Sequence, residues 1–218
     1  MGDRALPVSS KICGLSTFET IDAAIAGGAS HIGFVFIAKS KRHVLAELAA
    51  ALAARTARRA KIVGLFVDPE PAFIDSVRAQ VRLDVIQLHG DEHPALVSRI
   101  GMSSGLEVWK AVPVKTAADL KEAQKYRGSA HRILYDAKPP KGTDLPGGTG
   151  MRFDWKLLEG VTHPLPWILA GGLEPHNLAE AVRVTGADFV DVSSGVESAP
   201  GIKSVDKIAA FLKAAANL

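Results

Sequence analysis

Short β-branched runs and amphipathic helical stretches alternate along the whole chain, and strict alternation of this kind leaves few folds open. Strands are expected at 8–13, 31–36, 61–67, 84–88, 107–112, 132–136, 166–170 and 188–192. Helices are expected between and after them, at 17–26, 46–58, 71–81, 93–100, 117–125, 154–158, 175–184 and 204–216. Glu70-Pro71 and Glu174-Pro175 each offer a proline for the first turn of a helix. Strand followed by helix, repeated throughout, implies a parallel sheet covered by helices. The 218 residues give each of eight units about 27, which suits a single (β/α)8 TIM barrel. An open doubly wound sheet would read the same way along the chain. No Gly-x-Gly-x-x-Gly follows the first strand, which counts against its dinucleotide-binding form.

With 47% hydrophobic residues and a mean hydropathy of +0.14, the chain can bury a sizeable core. The expected organisation is one α/β domain over 1–218, with 1–7 a loose N-terminal extension. The net charge is only +3, and the densest basic stretch, Arg55 to Lys61, reads as the solvated end of a helix. Nucleic acid is therefore not an expected partner, and 6% aromatic residues leave little for base stacking. No apolar stretch is long enough to cross a membrane. The N-terminus lacks a signal-peptide core, and there is one cysteine, so a reducing cytoplasm is expected.

In a barrel of this type the chemistry sits at the carboxyl ends of the strands. Those positions hold Cys13, the stretch from Phe36 to Arg42, Asp68, Gln87-Leu88-His89-Gly90, Lys110, Asp136, Gly171-Gly172 and Asp191-Val192-Ser193-Ser194-Gly195. Glycine-rich loops follow the last three strands: Gly148-Thr149-Gly150, Gly171-Gly172 and Ser193-Ser194-Gly195. Such loops let backbone N–H groups approach an anion, so a phosphorylated small molecule is the expected ligand.

Cys13 and Asp136, on strands one and six, fall on opposite sides of the mouth, where one can remove a proton and the other donate one. An ordinary cysteine costs about 2 kcal/mol to ionise at pH 7, and an ordinary carboxylic acid about 4 kcal/mol to protonate. An acid at Asp136 therefore needs surroundings that favour its protonated form. Lys11 shares a face with Cys13 if no bulge intervenes, and would then favour the thiolate. Asp191 suits either a substrate amine or the capping of the turn at Ser193.

Several stretches resemble phosphoribosylanthranilate isomerases. They are Lys11-Ile12-Cys13-Gly14, Gly33-Phe34-Val35-Phe36, Gln87-Leu88-His89-Gly90, Asp136, Gly148-Thr149-Gly150 with Phe153-Asp154-Trp155, Leu169-Ala170-Gly171-Gly172-Leu173 with Asn177, and Asp191 to Glu197 with Pro200, Gly201 and Lys203. The resemblance runs from about Lys11 to Phe211. It implies a (β/α)8 enzyme of tryptophan biosynthesis without metal or organic cofactor, present as a monomer or homodimer. Such an enzyme converts N-(5-phosphoribosyl)anthranilate to 1-(2-carboxyphenylamino)-1-deoxyribulose 5-phosphate, an Amadori rearrangement. By resemblance, Asp136 is the general acid that opens the furanose and Cys13 the general base that takes the C2 proton. Arg42 holds the anthranilate carboxylate, Asp191 lies by the amine, and Gln87 belongs to the substrate site. The chain has Ser40-Lys41-Arg42-His43 where the family commonly has Ser-Pro-Arg-Tyr, which frees the loop backbone.

His89 and His93 flank Asp91 and Glu92, but the Gly90 turn separates them and no third spaced ligand is evident, so no metal site is expected. Trp109, Trp155 and Trp167 read as packing or substrate wall. The competing readings are a non-catalytic barrel that binds a phosphorylated metabolite, and another phosphate-binding enzyme of the tryptophan or histidine branch.

Overall fold

Parallel strands buried on both faces need apolar residues in near-continuous runs, and the short runs of this chain close into a ring. In the computed structural model, which describes residues 8–139 and 150–218, the strands are β1 (Ser9–Cys13), β2 (His31–Val35), β3 (Lys61–Phe66), β4 (Val85–Leu88), β5 (Glu107–Val114), β6 (Arg132–Ala137), β7 (Trp167–Leu169) and β8 (Phe189–Val192). They pair in chain order as a closed barrel, and Lys11 opposite Asp191 lies in the β1–β8 seam that closes it. The expected (β/α)8 barrel is the observed fold. The expected extension at 1–7, and Gly148 and Thr149, lie outside the described residues.

Helices α1 (Phe18–Ala26), α2 (Ala46–Arg55), α3 (Pro71–Arg78), α4 (Pro94–Ser104), α5 (Ala117–Leu120), α6 (Leu178–Thr185) and α7 (Val205–Ala216) cover the outside. Pro71 opens α3 as expected. Pro175 does not open a helix. Asn177 holds the chain before α6, accepting from Glu174 N–H at 2.8 Å and donating to Gly172 O at 2.9 Å, and α6 starts only at Leu178. Pro94 opens α4, with His93 as its cap accepting from Ala95 N–H. The fifth expected helix is one α-turn followed by a 3-10 stretch, Lys121–Tyr126, and the sixth is only the 3-10 turn Trp155–Leu158. A hairpin of β9 (Glu197–Ala199) and β10 (Ile202–Lys203) stands between β8 and α7.

Residues facing alternately out and in divide the core in two. Outward residues such as Ile12, Ile32, Ile86 and Ile133 pack under the helices. Val63, Val85, Trp109, Ala111, Leu134, Ile168, Ala170 and Phe189 fill the barrel itself. Trp109 is packing and not substrate wall: it is wholly buried, its ring 5.5 Å from Phe189 and 5.2 Å from His31. Burial, with Lys61 and Lys11 nearby, pushes the His31 imidazole down to about 3, so it packs as a neutral ring. Trp109→Ala is expected to cost about 3–5 kcal/mol of folding free energy, because the neighbouring strands are hydrogen-bonded and cannot collapse into the space. Urea unfolding checks it; a loss under 1 kcal/mol would mean the interior repacks.

Candidate active site

The carboxyl ends of the strands open onto a cleft of about 720 Å³. Cys13, Arg42, His89, Asp136, Gly150, Gly171, Gly172, Asp191, Ser193 and Ser194 line it, with Val35, Ile37 and Leu65 as an apolar wall. Expected residues from five strands thus meet in one place. Gln87 and Gly195 do not reach it. Gln87 is fully buried inside the barrel, beneath His89. Gly195 supports the loop from behind, where a Cβ would overlap Leu173 O.

Alternation along β1 without a bulge puts Lys11 and Cys13 on the same inward face. Lys11 is completely buried, and its Nζ donates to Asp191 Oδ1 at 2.9 Å. Burial pushes the Cys13 thiol up; Lys11 and Lys203 pull it down without reversing the shift, and Asp191 adds to it. The resting sulfur is therefore a neutral thiol at pH 7. Asp191 does not cap the turn at Ser193. That turn is held by Lys203 Nζ, which donates to Ser193 O at 2.8 Å, while Ser193 Oγ donates to Cys13 O at 3.2 Å.

Across the cleft, Asp136 Oδ1 accepts the N–H of Ala137 at 2.8 Å and Oδ2 lies 3.1 Å from His89 Nε2. His89 Nδ1 lies 3.1 Å from Gln87 Nε2, and Gln87 Oε1 has no partner among the described residues. With the amide in this orientation its N–H2 faces Nδ1, which leaves Nε2 to carry the imidazole proton toward Asp136. His89 is the residue to which sequence reasoning gives no role: it stands among the strand-end positions and in the motif Gln87-Leu88-His89-Gly90, but is weighed individually only as half of a metal pair. The signal was present in Gln87-Leu88-His89, where alternation puts the first and third residues on one side at a strand's carboxyl end. Lys110, expected at a strand end, lies midway along β5 because that strand runs on to Val114; it and Asp68, just past β3, serve the loop after β4. Lys110 Nζ pairs with the buried Glu92 at 3.1 Å and donates to Gly90 O, and Glu92 accepts the N–H of both Asp68 and Gly90.

Arg42 is held in a two-pronged pair with Glu197, Nε to Oε1 at 2.6 Å and Nη2 to Oε2 at 2.9 Å. Lys203 donates to the same carboxylate at 2.8 Å. The loop that lacks proline is tied in other ways. Ser40 Oγ accepts the N–H of Arg42, Ser40 O accepts that of His43, and Gly201 of the hairpin lies against Lys41, where a Cβ would come within 2.6 Å of Lys41 O. At the other end of the cleft Gly171 has φ +82° and lies against β6, where a Cβ would sit 2.6 Å from Ala137 N. Only glycine lets this loop approach Asp136 so closely. Among the described residues no group of His, Cys, Asp or Glu is placed to hold a metal ion.

The sequence profile of the family described as N-(5'phosphoribosyl)anthranilate (PRA) isomerase matches residues 10–214. The chain belongs to this family. A relative in Paramagnetospirillum magneticum named N-(5'-phosphoribosyl)anthranilate isomerase is 53% identical over 210 residues, covering 96% of this chain and 98% of the relative. The solved phosphoribosyl anthranilate isomerase from Thermotoga maritima superposes with a TM-score of 0.86 at 37% identity, covering 97% of this chain and 100% of that one. A solved isomerase in complex with reduced 1-(o-carboxyphenylamino)-1-deoxyribulose 5-phosphate gives 0.84 at 36%, with the same coverage.

Proposed function

We infer that this chain carries the isomerase activity of its family, converting N-(5-phosphoribosyl)anthranilate to 1-(2-carboxyphenylamino)-1-deoxyribulose 5-phosphate for tryptophan biosynthesis. The observation that carries the reading is the presence of Cys13 and Asp136 on one cleft that also holds the glycine loops. Asp136 donates a proton to the furanose ring oxygen as the C–O bond breaks, leaving an open-chain Schiff base. Cys13, in the ionised fraction whose proton has gone to solvent, removes the C2 proton as thiolate, and the resulting enolamine tautomerises to the ketone. His89 Nε2–H and Ala137 N–H both face Asp136 and favour its carboxylate, so they help the proton leave but do not supply the surroundings the acid form needs; the anionic phosphate and carboxylate of the bound substrate are what favour the protonated acid beforehand. Arg42, already oriented by Glu197, presents its planar fork to the anthranilate carboxylate. Asp191 takes the amine. Gly150, Gly171, Gly172, Ser193 and Ser194 receive the phosphate, with Gly148 and Thr149 and with Gly195 behind them. Among the described residues no helix is long and apolar enough to cross a membrane, and a reducing cytoplasm is the setting proposed, since the base is a free thiol.

The test is the loss of anthranilate-type fluorescence when purified protein meets freshly generated phosphoribosylanthranilate. Rapid loss, inhibited competitively by millimolar inorganic phosphate, is expected. No loss would overturn the isomerase reading and favour a barrel that only binds a phosphorylated metabolite.

A further inference from the structure

Lys11 is a fully buried cation beside the proposed base, and the mechanism above leaves it without a task. Burying an ammonium is costly unless it is paired and its charge is used. A structural pair with Asp191 alone would not require Cys13 to share its space, yet the fold makes room for both. Gly33 on β2 lies opposite Cys13 in register, and a Cβ there would meet Cys13 Sγ and Lys11 Cε, each at 3.0 Å. The missing side chain of Gly33 is thus the space in which the lysine stem and the sulfur lie side by side. The buried ammonium is paired with a permanent anion on Asp191, and its stem lies beside a sulfur that becomes an anion only when Cys13 ionises.

We propose that Lys11 is the positioning residue of the base: its ammonium, held in place by Asp191, sustains the Cys13 thiolate that removes the C2 proton. The role as base rests on the isomerase reading, whereas the Lys11 dependence of the thiolate does not. The electrostatics agree in direction. Lys11 draws the thiol down against its burial, Asp191 pushes it up, and the lysine itself stays protonated, held above its ordinary value by Asp191 and Cys13 despite burial. The other charged or titratable groups around the sulfur are Lys203 on β10, Arg42 after β2, and His89 and Asp136 across the cleft. Lys203 is anchored to Ser193 and Glu197, so its field is a fixed background. Lys11 contributes the part that Asp191 modulates.

Cys13 is the only cysteine in the chain, so thiol chemistry reports on this site alone. The experiment measures the rate of alkylation by iodoacetamide against pH, and the ultraviolet absorbance of the thiolate, in the parent, Lys11→Met and Asp191→Asn, without substrate. At neutral pH, Lys11→Met is expected to slow alkylation tenfold or more and to move thiolate formation to higher pH. Asp191→Asn is expected to speed it severalfold. The opposite signs separate the proposal from loosened packing, which would expose the sulfur and speed both. If Lys11→Met is too unstable to study, Lys11→Met/Asp191→Leu removes the stranded carboxylate as well, and slowed alkylation is expected there too. Equal or faster alkylation in the lysine variants would overturn the proposal. Because no turnover is measured, that outcome is distinct from an inactive parent, which would remove the isomerase reading instead.

Discussion

Asp136→Asn is expected to lower kcat/KM for phosphoribosylanthranilate by about 10³-fold, within the range by which a positioned acid accelerates proton transfer. The loss should appear in kcat. The asparagine amide fits the same space, its carbonyl able to accept from Ala137 N–H or His89 Nε2–H, so the fold and the glycine loops on Gly171 remain as they are. It has no acidic proton to give the ring oxygen. An unchanged KM with collapsed kcat is the pattern of an interaction made only in the transition state. Cys13→Ser should cost 10² or more, because a hydroxyl at this buried position is far harder to ionise than a thiol. Steady-state fluorescence assays decide it. Either variant within threefold of the parent would remove that residue from the chemistry and point to His89 or Asp191 as the group that moves the proton.

The strands were legible because a parallel barrel buries both faces, so each strand leaves a short β-branched run that needs no partner to be noticed. The position of the cleft followed from topology alone: Cys13, Asp136 and Asp191 were placed by being last or nearly last in their strands. What escaped depended on partners far along the chain. Arg42 and Glu197 are 155 residues apart, and the two-residue strand Ile202–Lys203 exists because Glu197 and Gly201 lie against the Arg42 loop. No local pattern announces that hairpin beyond the Pro200-Gly201 turn. His89 gains its meaning from Asp136, 47 residues later, and Gln87 reads as touching substrate because nothing in sequence separates a strand's last inward residue from the one below it. The sixth unit was short by nature. Trp155–Leu158 offers one turn, and with so few residues Asp154, accepting the N–H of Lys156, closes a 3-10 turn in place of a helix.

Glu197→Ala is expected to be the most damaging change away from the reacting groups. The carboxylate holds Arg42 by two hydrogen bonds and Lys203, whose side chain is 1% exposed, by another. Removing it strands a buried ammonium and frees the guanidinium from the orientation in which it meets a carboxylate. A broken buried pair costs about 3–5 kcal/mol, and KM should rise as well, since substrate must then supply part of the ordering that Glu197 gives Arg42. Glu197→Gln separates shape from charge through its pH dependence. Burial pushes the Glu197 carboxyl up, but hydrogen bonds from Arg42 and the charge of Lys203 outweigh it and hold the group at about 2. Because the folded value lies below the ordinary 4.5, the unfolded chain binds the proton first as pH falls. The stabilisation is therefore complete above about pH 5 and is lost progressively toward pH 2. In urea titrations at several pH values, the gap between the parent and Glu197→Gln should be widest near neutrality and should narrow steadily below pH 4.5. Curves that stay parallel down to pH 3 would show that packing at Glu197, and not its charge, holds the loop that presents Arg42 to the substrate.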